Sequence, residues 1–256
     1  MDKGVIYVAT GPDYRNLAEA SARSLRAVEP GLAVDLFTDA PDAAQPGLFD
    51  AVHGIADPHP RSKLDCMRRT RFGRTLFLDA DTLVLAPLGD LFDVLERFEL
   101  ALAHDVRRAS ELIRAGQEVQ TPYAVPQLNS GVMLYRRSPR MLAFLADWAR
   151  AFAESGGERD QPALRDLLWR SDLRFWVLPP EFNLRRVTML DAWEPQDALP
   201  TILHSHRLMD HMRAQGARIT DVAALVEAER AALAEEWEAV GGRDPDPVAR
   251  FLKRKG

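Results

Sequence analysis

Residues 76–85 read LFLDADTLVL, an apolar run that is interrupted by two acids. A strand that is apolar on both faces is usually an inner strand of a sheet, where an unpaired carboxylate is costly to bury. If the strand continues, Asp79 and Asp81 point to one side of it and Ala80 points to the other. Two carboxylates so close need a shared proton, water or a cation, and a hard divalent metal ion is the simplest partner. The alternative is a strand that ends at Asp79 and a turn that Asp81 caps.

The composition of the 256-residue chain fits one α/β domain with a small C-terminal appendage at most. Hydrophobic residues make up 46% of the chain and charged residues 28%, which allows a proper core. The net charge of −5 gives no electrostatic footprint for DNA or RNA, so we expect no nucleic-acid partner. The one cysteine, Cys66, excludes an internal disulfide and fits a reducing compartment. Because no segment reaches the ~20 apolar residues of a membrane span and the start lacks a signal-peptide layout, we expect a cytoplasmic protein.

The first half of the chain predicts strands that alternate with helices. Strand-like runs occupy residues 4–10 (GVIYVAT), 32–39 (LAVDLFTD), 51–55 (AVHGI) and 75–79 (TLFLD), and helical spacing occupies residues 15–28 and 62–72. This order indicates an α/β fold with a mixed, mostly parallel central sheet that is flanked by helices. Ligands of such sheets bind at the carboxyl ends of strands, so we expect the loop TGPDY (residues 10–14) and the acid pair to line one crevice.

The second half predicts the same kinds of element, joined less regularly. Strands are predicted at residues 99–104 (ELALAH), 128–137 (LNSGVMLYRR) and 174–180 (RFWVLPP), and helices at residues 141–155, 160–170 and 219–239. Residues 105–126 show no clear period, and a connection of this length is usually functional or mobile. The basic tail VARFLKRKG (residues 248–256) is amphipathic, which indicates a solvated terminal helix or a weak peripheral membrane contact.

An ordered set of motifs resembles glycosyltransferase family 8, the group that includes glycogenin and bacterial lipopolysaccharide galactosyltransferases. In chain order the motifs are KLDCMRRTRFGRTLFLDADTLVLAPLGDLFD (63–93), LNSGVMLY (128–135), RDQPAL (159–164), LPPEFN (178–183) and ILHSH (202–206). The resemblance covers most of the first 206 residues, and the ordered set is far more specific than any one motif.

The resemblance implies a GT-A fold, a nucleotide-sugar donor that is usually a UDP-sugar, and a manganese or magnesium ion as cofactor. It also implies transfer of the sugar, with retention of anomeric configuration, to a glycan, lipid or protein acceptor. On this basis we expect a GT-A catalytic domain at residues 1–215, followed by a C-terminal helical extension at residues 216–256. The nucleotide-sugar half would span about residues 1–104 and the acceptor half, which includes the unpatterned connection, about residues 105–215.

The resemblance assigns a metal site to two acids and a histidine. Asp79, Ala80 and Asp81 match the acid-x-acid motif of the family, which binds the metal and, through its first acid, the ribose and sugar of the donor. His204 matches the histidine ligand of the metal. Manganese accepts both carboxylate oxygen and imidazole nitrogen, so the trio is chemically reasonable. His206 stays a competing ligand because both histidines share a face if they lie in a strand, and an ordinary surface histidine is the alternative for His204.

Three further positions match residues that bind the donor in the family. Thr10 and Tyr14 match the first loop, where backbone groups hold the uracil edge and an aromatic ring stacks on it. Lys63 matches a lysine that faces the donor, although a solvated helix lysine is the alternative. Family members commonly follow the metal histidine with a glycine and a lysine-proline-tryptophan segment that clamps the diphosphate, but this chain continues HSHRLMDHM. Arg207 is the candidate replacement for that lysine.

The remaining assignments lie beside the transferred sugar. Asn129, Ser130 and Gly131 match the family triplet there, and amides and hydroxyls suit sugar hydroxyls without added charge. Asp160 and Gln161 match an acid-glutamine pair near the reacting carbon, so that Asp160, Gln161 and Asn129 are the candidate catalytic residues. The alternative for Asp160 is a helix N-cap, and both roles are compatible.

Two other classes of function remain open. LFLDADT also fits the first motif of haloacid-dehalogenase phosphatases, in which Asp79 would be the nucleophile and Asp81 the acid/base. That motif normally ends the first strand of its domain, whereas strand-like segments precede it here. A non-catalytic nucleotide-sugar binding protein is the second alternative, which the missing lysine segment favours.

Overall fold

The computed structural model describes residues 2–106, 121–122, 124–213 and 217–242. These residues form nine strands, namely β1 (Lys3–Val8), β2 (Ala33–Thr38), β3 (Ala51–Gly54), β4 (Arg74–Leu78), β5 (Thr82–Val84), β6 (Leu100–His104), β7 (Leu128–Arg136), β8 (Phe175–Leu178) and β9 (Ile202–His204). They also form five α-helices, namely α1 (Pro12–Val28), α2 (Lys63–Cys66), α3 (Pro139–Ser155), α4 (Gln161–Arg170) and α5 (Val222–Ala239).

A seven-stranded sheet in the order β3-β2-β1-β4-β7-β6-β8 forms the centre of the fold. Six of these strands run in one direction, and β7 runs antiparallel to both of its neighbours, β4 and β6. The predicted mixed and mostly parallel α/β sheet is therefore confirmed. Because β7 is reversed, its first residues lie at the edge where the parallel strands β1 and β4 end.

The inner strands are apolar because both of their faces are covered. Ile6 of β1, Phe77 of β4 and Met133 of β7 are fully buried and belong to the same hydrophobic core as Trp148 of α3. Complete burial of such side chains is the main favourable term in folding. By contrast, Trp176 lies on the edge strand β8 and is half exposed.

The long helices lie where their sequences predict, and their first residues fall within three positions of the predicted starts. Helix α1 buries Leu17, Ala18, Ala22 and Leu25, the residues whose spacing indicated a helix. Helix α3 begins after Ser138, whose Oγ accepts a hydrogen bond from the backbone N–H of Met141 at 3.1 Å.

The helix predicted at residues 62–72 is wrong in length. Helix α2 spans only Lys63–Cys66 and continues as a 3-10 turn, Met67–Arg69. The Oγ1 of Thr70 accepts a hydrogen bond from the backbone N–H of Phe72 and contacts the Thr75 hydroxyl at 2.9 Å. These local bonds compete with helical hydrogen bonding, so the chain leaves the helix at Thr70.

A second sheet, formed by β5 and β9, has no counterpart among the predicted strands. The two strands are antiparallel, and Thr82 lies opposite His204. Each strand has three residues, which is too short for a hydrophobic period to show.

The chain divides into two compact units. The first consists of Met1–Arg186 and Glu194–His206, and the second of Val187–Trp193 and Arg207–Gly256. In the second unit, α5 begins after Asp221, whose Oδ1 accepts a hydrogen bond from Ala224 N at 2.9 Å. The predicted boundary at residue 215 stays a prediction.

Two sequence predictions fall wholly or largely outside the described residues. The basic tail at residues 248–256 lies outside them, and so does most of the connection at residues 105–126. Within the described part of the chain, we find no helix with the length and apolar character that crossing a bilayer demands.

Candidate active site

The two acids lie in a tight turn between β4 and β5. Strand β4 ends at Leu78 and β5 begins at Thr82, so of the two open interpretations the structure supports the strand end and turn, not the strand that continues through the acids. The turn is held by two hydrogen bonds to the backbone of Asp79: its N–H donates to the Gly131 carbonyl at 2.7 Å, and its carbonyl accepts from Thr82 Oγ1 at 2.8 Å. The turn brings Asp79 and Asp81 to the carboxyl end of β4, where ligands of parallel sheets bind.

His204 completes a cluster with these acids. It ends β9, is 2% exposed, and its Nε2 lies 3.2 Å from Asp81 Oδ1. The ligand atoms of Asp79, Asp81 and His204 all lie within 4.8 Å of one another. Strand β9 ends at His204, and His206 begins a 3-10 helix, His206–Arg213, so the two histidines do not share a strand. The cluster that the structure brings together contains His204.

The imidazole of His204 presents Nε2 to the acids because its other nitrogen is engaged. Asn183 Oδ1 lies 3.0 Å from Nδ1, and an amide oxygen only accepts, so Nδ1 carries the proton. Nε2 lies between Arg185 Nη1, a donor at 3.0 Å, and the carboxylate oxygen Oδ1 of Asp81 at 3.2 Å. A partner at Nδ1 such as Asn183 is the usual way in which a protein orients a histidine ligand. Two carboxylates and the imidazole nitrogen Nε2 form a donor set that fits Mn²⁺.

Gly131 makes room for the imidazole. A Cβ atom at this position would lie 2.0 Å from His204 Cε1 and 2.8 Å from Asp79 Oδ2. Those separations are far below van der Waals contact, so every larger residue would displace the histidine or the acid. The glycine of LNSGVML therefore has a steric reason to be there.

Lys63 lies between two carboxylates. Its Nζ is 3.4 Å from Asp79 Oδ1 and 3.4 Å from Asp160 Oδ2, and it donates to Ser130 Oγ at 3.1 Å. Burial lowers the pKa of Lys63, but the charges of Asp160 and Asp79 outweigh this and raise the pKa above its usual value. The lysine is therefore a fixed positive charge within the site, and the interpretation as a solvated helix lysine is wrong.

The two acids of the turn differ in their affinity for protons. Burial raises the pKa of Asp79, and the charges of Asp81 and Asp160 add to this against the attraction of Lys63. Burial also acts on Asp81, but the neighbouring His204 and Arg185 outweigh it and hold the pKa of Asp81 below its usual range. A carboxylate with a raised pKa is an incompletely compensated charge, which a metal cation would stabilise.

Asp160 contacts Ser130 and does not cap α4 through its side chain. It occupies the N-cap position, but its side chain makes no capping hydrogen bond, so that part of the N-cap alternative is wrong. Its Oδ2 accepts from Ser130 Oγ at 2.7 Å, and its backbone carbonyl accepts from Trp148 Nε1 at 2.9 Å. Burial raises the pKa of Asp160, but Lys63, the Ser130 hydrogen bond and Arg61 outweigh it and hold the pKa below its usual value.

Gln161 and Asn129 belong to a set of hydrogen bonds that leads to His204. With the Gln161 amide oriented to satisfy both of its atoms, its oxygen accepts from Asn129 Nδ2 at 2.9 Å and its nitrogen donates to Asp105 Oδ2 at 3.3 Å. Asn129 Oδ1 accepts from Gly131 N and from Asn183 Nδ2, both at 3.0 Å. A continuous set of hydrogen bonds therefore runs from Gln161 through Asn129 and Asn183 to His204.

The connection between β6 and β7 begins and ends beside these residues. His104 pairs with Leu128, and the backbone N–H of Asp105 donates to the Gln127 carbonyl at 2.8 Å. The two ends of the connection are thus bonded to each other at the edge of the sheet.

The predicted first loop follows β1, the neighbour of β4, at the same edge of the sheet. Tyr14 is 44% exposed in the first turn of α1, and Thr10 is partly buried. Gly11 has φ 78°, and its N–H donates to both carboxylate oxygens of Asp39, at 3.0 and 3.1 Å. This hydrogen bond is the main reason that the pKa of Asp39 is lowered. Asp39 therefore fixes the loop, a role that sequence patterns did not indicate.

Buried hydroxyl groups form a chain of hydrogen bonds that ends at the acid turn. Thr82 donates to the Asp79 carbonyl, so its proton is used, and Ser21 must donate to Thr82 Oγ1 at 2.7 Å. Tyr7 must in turn donate to Ser21 Oγ at 3.0 Å. The turn is therefore tied to both β1 and α1.

Sequence reasoning missed Asn183, Arg185 and the positions that support the turn. Asn183 ends the LPPEFN motif, which contributed to the resemblance without any role for this residue. Arg207, the predicted clamp, belongs to the second unit, where its Nη1 donates to Asp210 Oδ2 at 3.3 Å. Its clamping role stays a prediction.

Comparison with known proteins identifies the class to which this site belongs. The family model of the nucleotide-diphospho-sugar transferases matches residues 74–211, more than half of the 256 residues, and this stretch contains the acid turn and His204. The chain belongs to this family. No curated protein matches the chain.

Solved structures show that the fold of this transferase is GT-A. The glycosyltransferase GlyE of Streptococcus pneumoniae TIGR4 is similar with a TM-score of 0.56 and 17% identity, over 95% of this chain and 66% of that one. The apo form of GlyE is similar with a TM-score of 0.54 and 20% identity, over 80% of this chain and 54% of that one. The galactosyltransferase LgtC, in complex with donor and acceptor sugar analogs, is similar with a TM-score of 0.54 and 16% identity, over 80% of this chain and 87% of that one. The transferase thus spans less than two thirds of GlyE. The predicted family and fold are confirmed.

Proposed function

We propose that this transferase moves a sugar from a UDP-sugar to a glycan, lipid or protein acceptor, with Mn²⁺ or Mg²⁺ held by Asp79, Asp81 and His204. The observation that carries the proposal is the convergence of these three side chains within 4.8 Å beside Gly131. Hard oxygen ligands and one imidazole nitrogen suit such an ion. When bound, the ion would neutralise charge that develops on the diphosphate leaving group.

The residues beside the metal site then position the transferred sugar. Asn129 and Ser130 offer an amide and a hydroxyl, and Lys63 keeps a positive charge next to them. Because the pKa of Asp160 is held below its usual value, this acid is ionised at neutral pH. A fixed carboxylate stabilises an oxocarbenium-like centre electrostatically, and the partners of Asp160 on Ser130 and Lys63 fix its orientation.

We further propose retention of anomeric configuration. In a front-face reaction the leaving phosphate oxygen accepts the proton of the acceptor hydroxyl, so no separate general base is required. Asp160 is bonded to Ser130 and lies close to Lys63, which suits an electrostatic role better than proton transfer. The anomeric configuration of the product, read by NMR, tests this part of the proposal.

At the nucleotide end, Thr10 and Tyr14 would bind the base. The ring of Tyr14 is exposed at the carboxyl edge of the sheet, as stacking on a base requires. Asp39 accepts a hydrogen bond from the Gly11 N–H and so fixes the loop between Thr10 and Tyr14.

Cytoplasmic location fits a donor made in that compartment and is part of the proposal.

The test is calorimetric titration with a panel of nucleotide sugars in the presence and absence of Mn²⁺, followed by assay of sugar transfer and of donor hydrolysis. We expect one uridine diphosphate sugar to bind only with metal. The Asp81→Ala variant should lose this binding, whereas Asp42→Ala, which removes an exposed acid far along the chain from the turn, should keep it.

Two outcomes would overturn the proposal. Binding without transfer or hydrolysis for any sugar and acceptor would indicate a non-catalytic binder. Release of phosphate from a phosphomonoester that depends on Asp79, without nucleotide-sugar binding, would indicate a phosphatase. The second outcome is disfavoured by topology, because three strands precede β4 in the chain.

A further inference from the structure

Arg185 contacts the metal site from a segment that no motif assigned to it. Leu184 is bridged to Leu203 of β9, and its N–H and carbonyl bond to Ile202 and His204. Asn183 and Arg185 flank Leu184 in this segment. Both reach His204, with Asn183 on Nδ1 and Arg185 on Nε2.

The guanidinium of Arg185 uses the same atom that a metal would need. Its Nη1 lies 3.0 Å from His204 Nε2, the nitrogen that faces the acids. Asp81 Oδ1 lies 3.2 Å from that nitrogen, so the guanidinium contacts the cluster at the position of a ligand atom. An imidazole nitrogen has one lone pair, so it cannot accept from Arg185 and bind a metal at the same time.

One N–H group of the Arg185 guanidinium lacks a hydrogen-bond acceptor among the described residues. Its Nε is buried and finds no acceptor within the described residues. A buried N–H without a partner costs free energy, so this position is a poor permanent place for the guanidinium. An arrangement that gave the planar fork an anion with several oxygens would satisfy it better.

We propose that Arg185 is an exchangeable counter-cation of the active site: it occupies Nε2 of His204, beside Asp81, until the metal binds, and then binds the diphosphate of the donor. This inference rests on the proposed function, since it names a further residue for the same donor site. The lysine that clamps the diphosphate in family 8 is absent from HSHRLMDHM, and Arg185 supplies a positive charge from another segment.

The first experiment measures metal binding without nucleotide, by Mn²⁺ titration followed by electron paramagnetic resonance. We expect Arg185→Met to bind Mn²⁺ about tenfold more tightly than the wild type, because a competing charge has been removed from a partly buried site. Arg186→Met is the matched control, since it removes the same charge from the adjacent exposed residue. It should change the affinity by about twofold at most, as expected for an exposed charge.

The second experiment measures binding of uridine diphosphate at saturating Mn²⁺ by calorimetry. Arg185→Met should bind it about tenfold more weakly, in the direction opposite to the effect on the metal. Arg186→Met should again resemble the wild type. Thermal melts of both variants establish that they are folded before these affinities are compared.

Each possible result tests one part of the inference. If Arg185→Met and Arg186→Met bind Mn²⁺ equally, Arg185 does not compete with the metal and the inference is wrong. If the metal binds more tightly but uridine diphosphate affinity is unchanged, the clamping role is wrong. If the wild type binds no uridine diphosphate at all, the proposed function fails, whereas the metal titration still tests the competition by Arg185.

Discussion

Gly131 shows how one side chain can be excluded by the geometry of a site. A Cβ there would lie 2.0 Å from His204 Cε1, so Gly131→Ala must move the imidazole or the strand. We expect Mn²⁺ affinity to fall at least tenfold and the free energy of unfolding to fall by about 1–3 kcal/mol, the usual cost of overpacking. Titration with Mn²⁺ and chemical denaturation measure the two effects.

Gly31→Ala is the control for this substitution. No heavy atom lies within 4 Å of the Cβ that it would add, and Gly31 is exposed. Its free energy of unfolding should change by no more than about 0.5 kcal/mol. Wild-type Mn²⁺ affinity in Gly131→Ala would contradict the assignment of His204 to the metal site.

Asp160 should make a stability contribution that depends on pH. Its folded pKa is held below the usual value, so folding favours the ionised form. The contribution is present above the unfolded pKa, near 4, and is lost as the pH falls through the lower folded pKa. Asp160→Asn should therefore be less stable than the wild type at pH 7, by about 2 kcal/mol, as for a hydrogen bond to a charged group.

Chemical denaturation from pH 7 down to pH 3 measures this difference. The gap between wild type and Asp160→Asn should be constant above about pH 4 and shrink below it. A gap that stays the same at pH 3 would show that the carboxylate charge contributes nothing and that the substitution acts through packing alone.

At the scale of elements, the hydroxyls of Tyr7, Ser21 and Thr82 couple β1 and α1 to the acid turn. Ser21→Ala leaves the Tyr7 hydroxyl buried without its acceptor, so we expect a loss of about 1–3 kcal/mol in the free energy of unfolding. In the Ser21→Ala background, Tyr7→Phe should cost little, because it removes the stranded hydroxyl. A double-mutant cycle from denaturation curves measures this coupling, and strictly additive losses would contradict it.

The sequence predicted most of these elements because their hydrophobic periods are long. Helix α1 and strands β1 and β4 each show several apolar positions in register, whereas β5 and β9 have three residues each. The turn after Leu78 was one of two open interpretations, since a hydroxyl bond such as that of Thr82 to Asp79 is not visible in a pattern. Helix α2 ended early for the same reason, through hydrogen bonds of Thr70.

The candidate site was predicted where residues are brought together by one motif or by neighbouring strands. The acid turn and the triplet on β7 required only local sequence and the family resemblance. Asn183 and Arg185 reach His204 because an irregular segment bridges β9, and no period or propensity indicates such a bridge. Long-range contacts of irregular segments are the part that sequence reasoning could not supply.

At the scale of the whole molecule, metal and nucleotide should stabilise the fold together. A ligand that binds only the native state adds about 2.7 kcal/mol at 100 times its Kd, which raises the Tm of a chain of this size by roughly 5–10 °C. We expect uridine diphosphate to raise Tm in Mn²⁺ and to have little effect in EDTA. Differential scanning fluorimetry measures both, with Asp81→Asn as the variant that should not respond.

A full shift of Tm by uridine diphosphate in EDTA would contradict the metal site. In that case the positive charges of Lys63 and Arg185 would be sufficient to hold the diphosphate, and the acids would have another role.

The hydrogen bond between Asp105 N and the Gln127 carbonyl marks a position at which the connection between β6 and β7 can be replaced by another segment. The chain leaves β6 and enters β7 through residues that this hydrogen bond and the pairing of His104 with Leu128 join to each other. The entropy of closing a loop grows slowly with its length, and segments of different lengths can therefore be exchanged here at small cost to folding. Under the expectation that this connection contacts the acceptor, its exchange should change acceptor preference and leave Asp79, Asp81 and His204 in place.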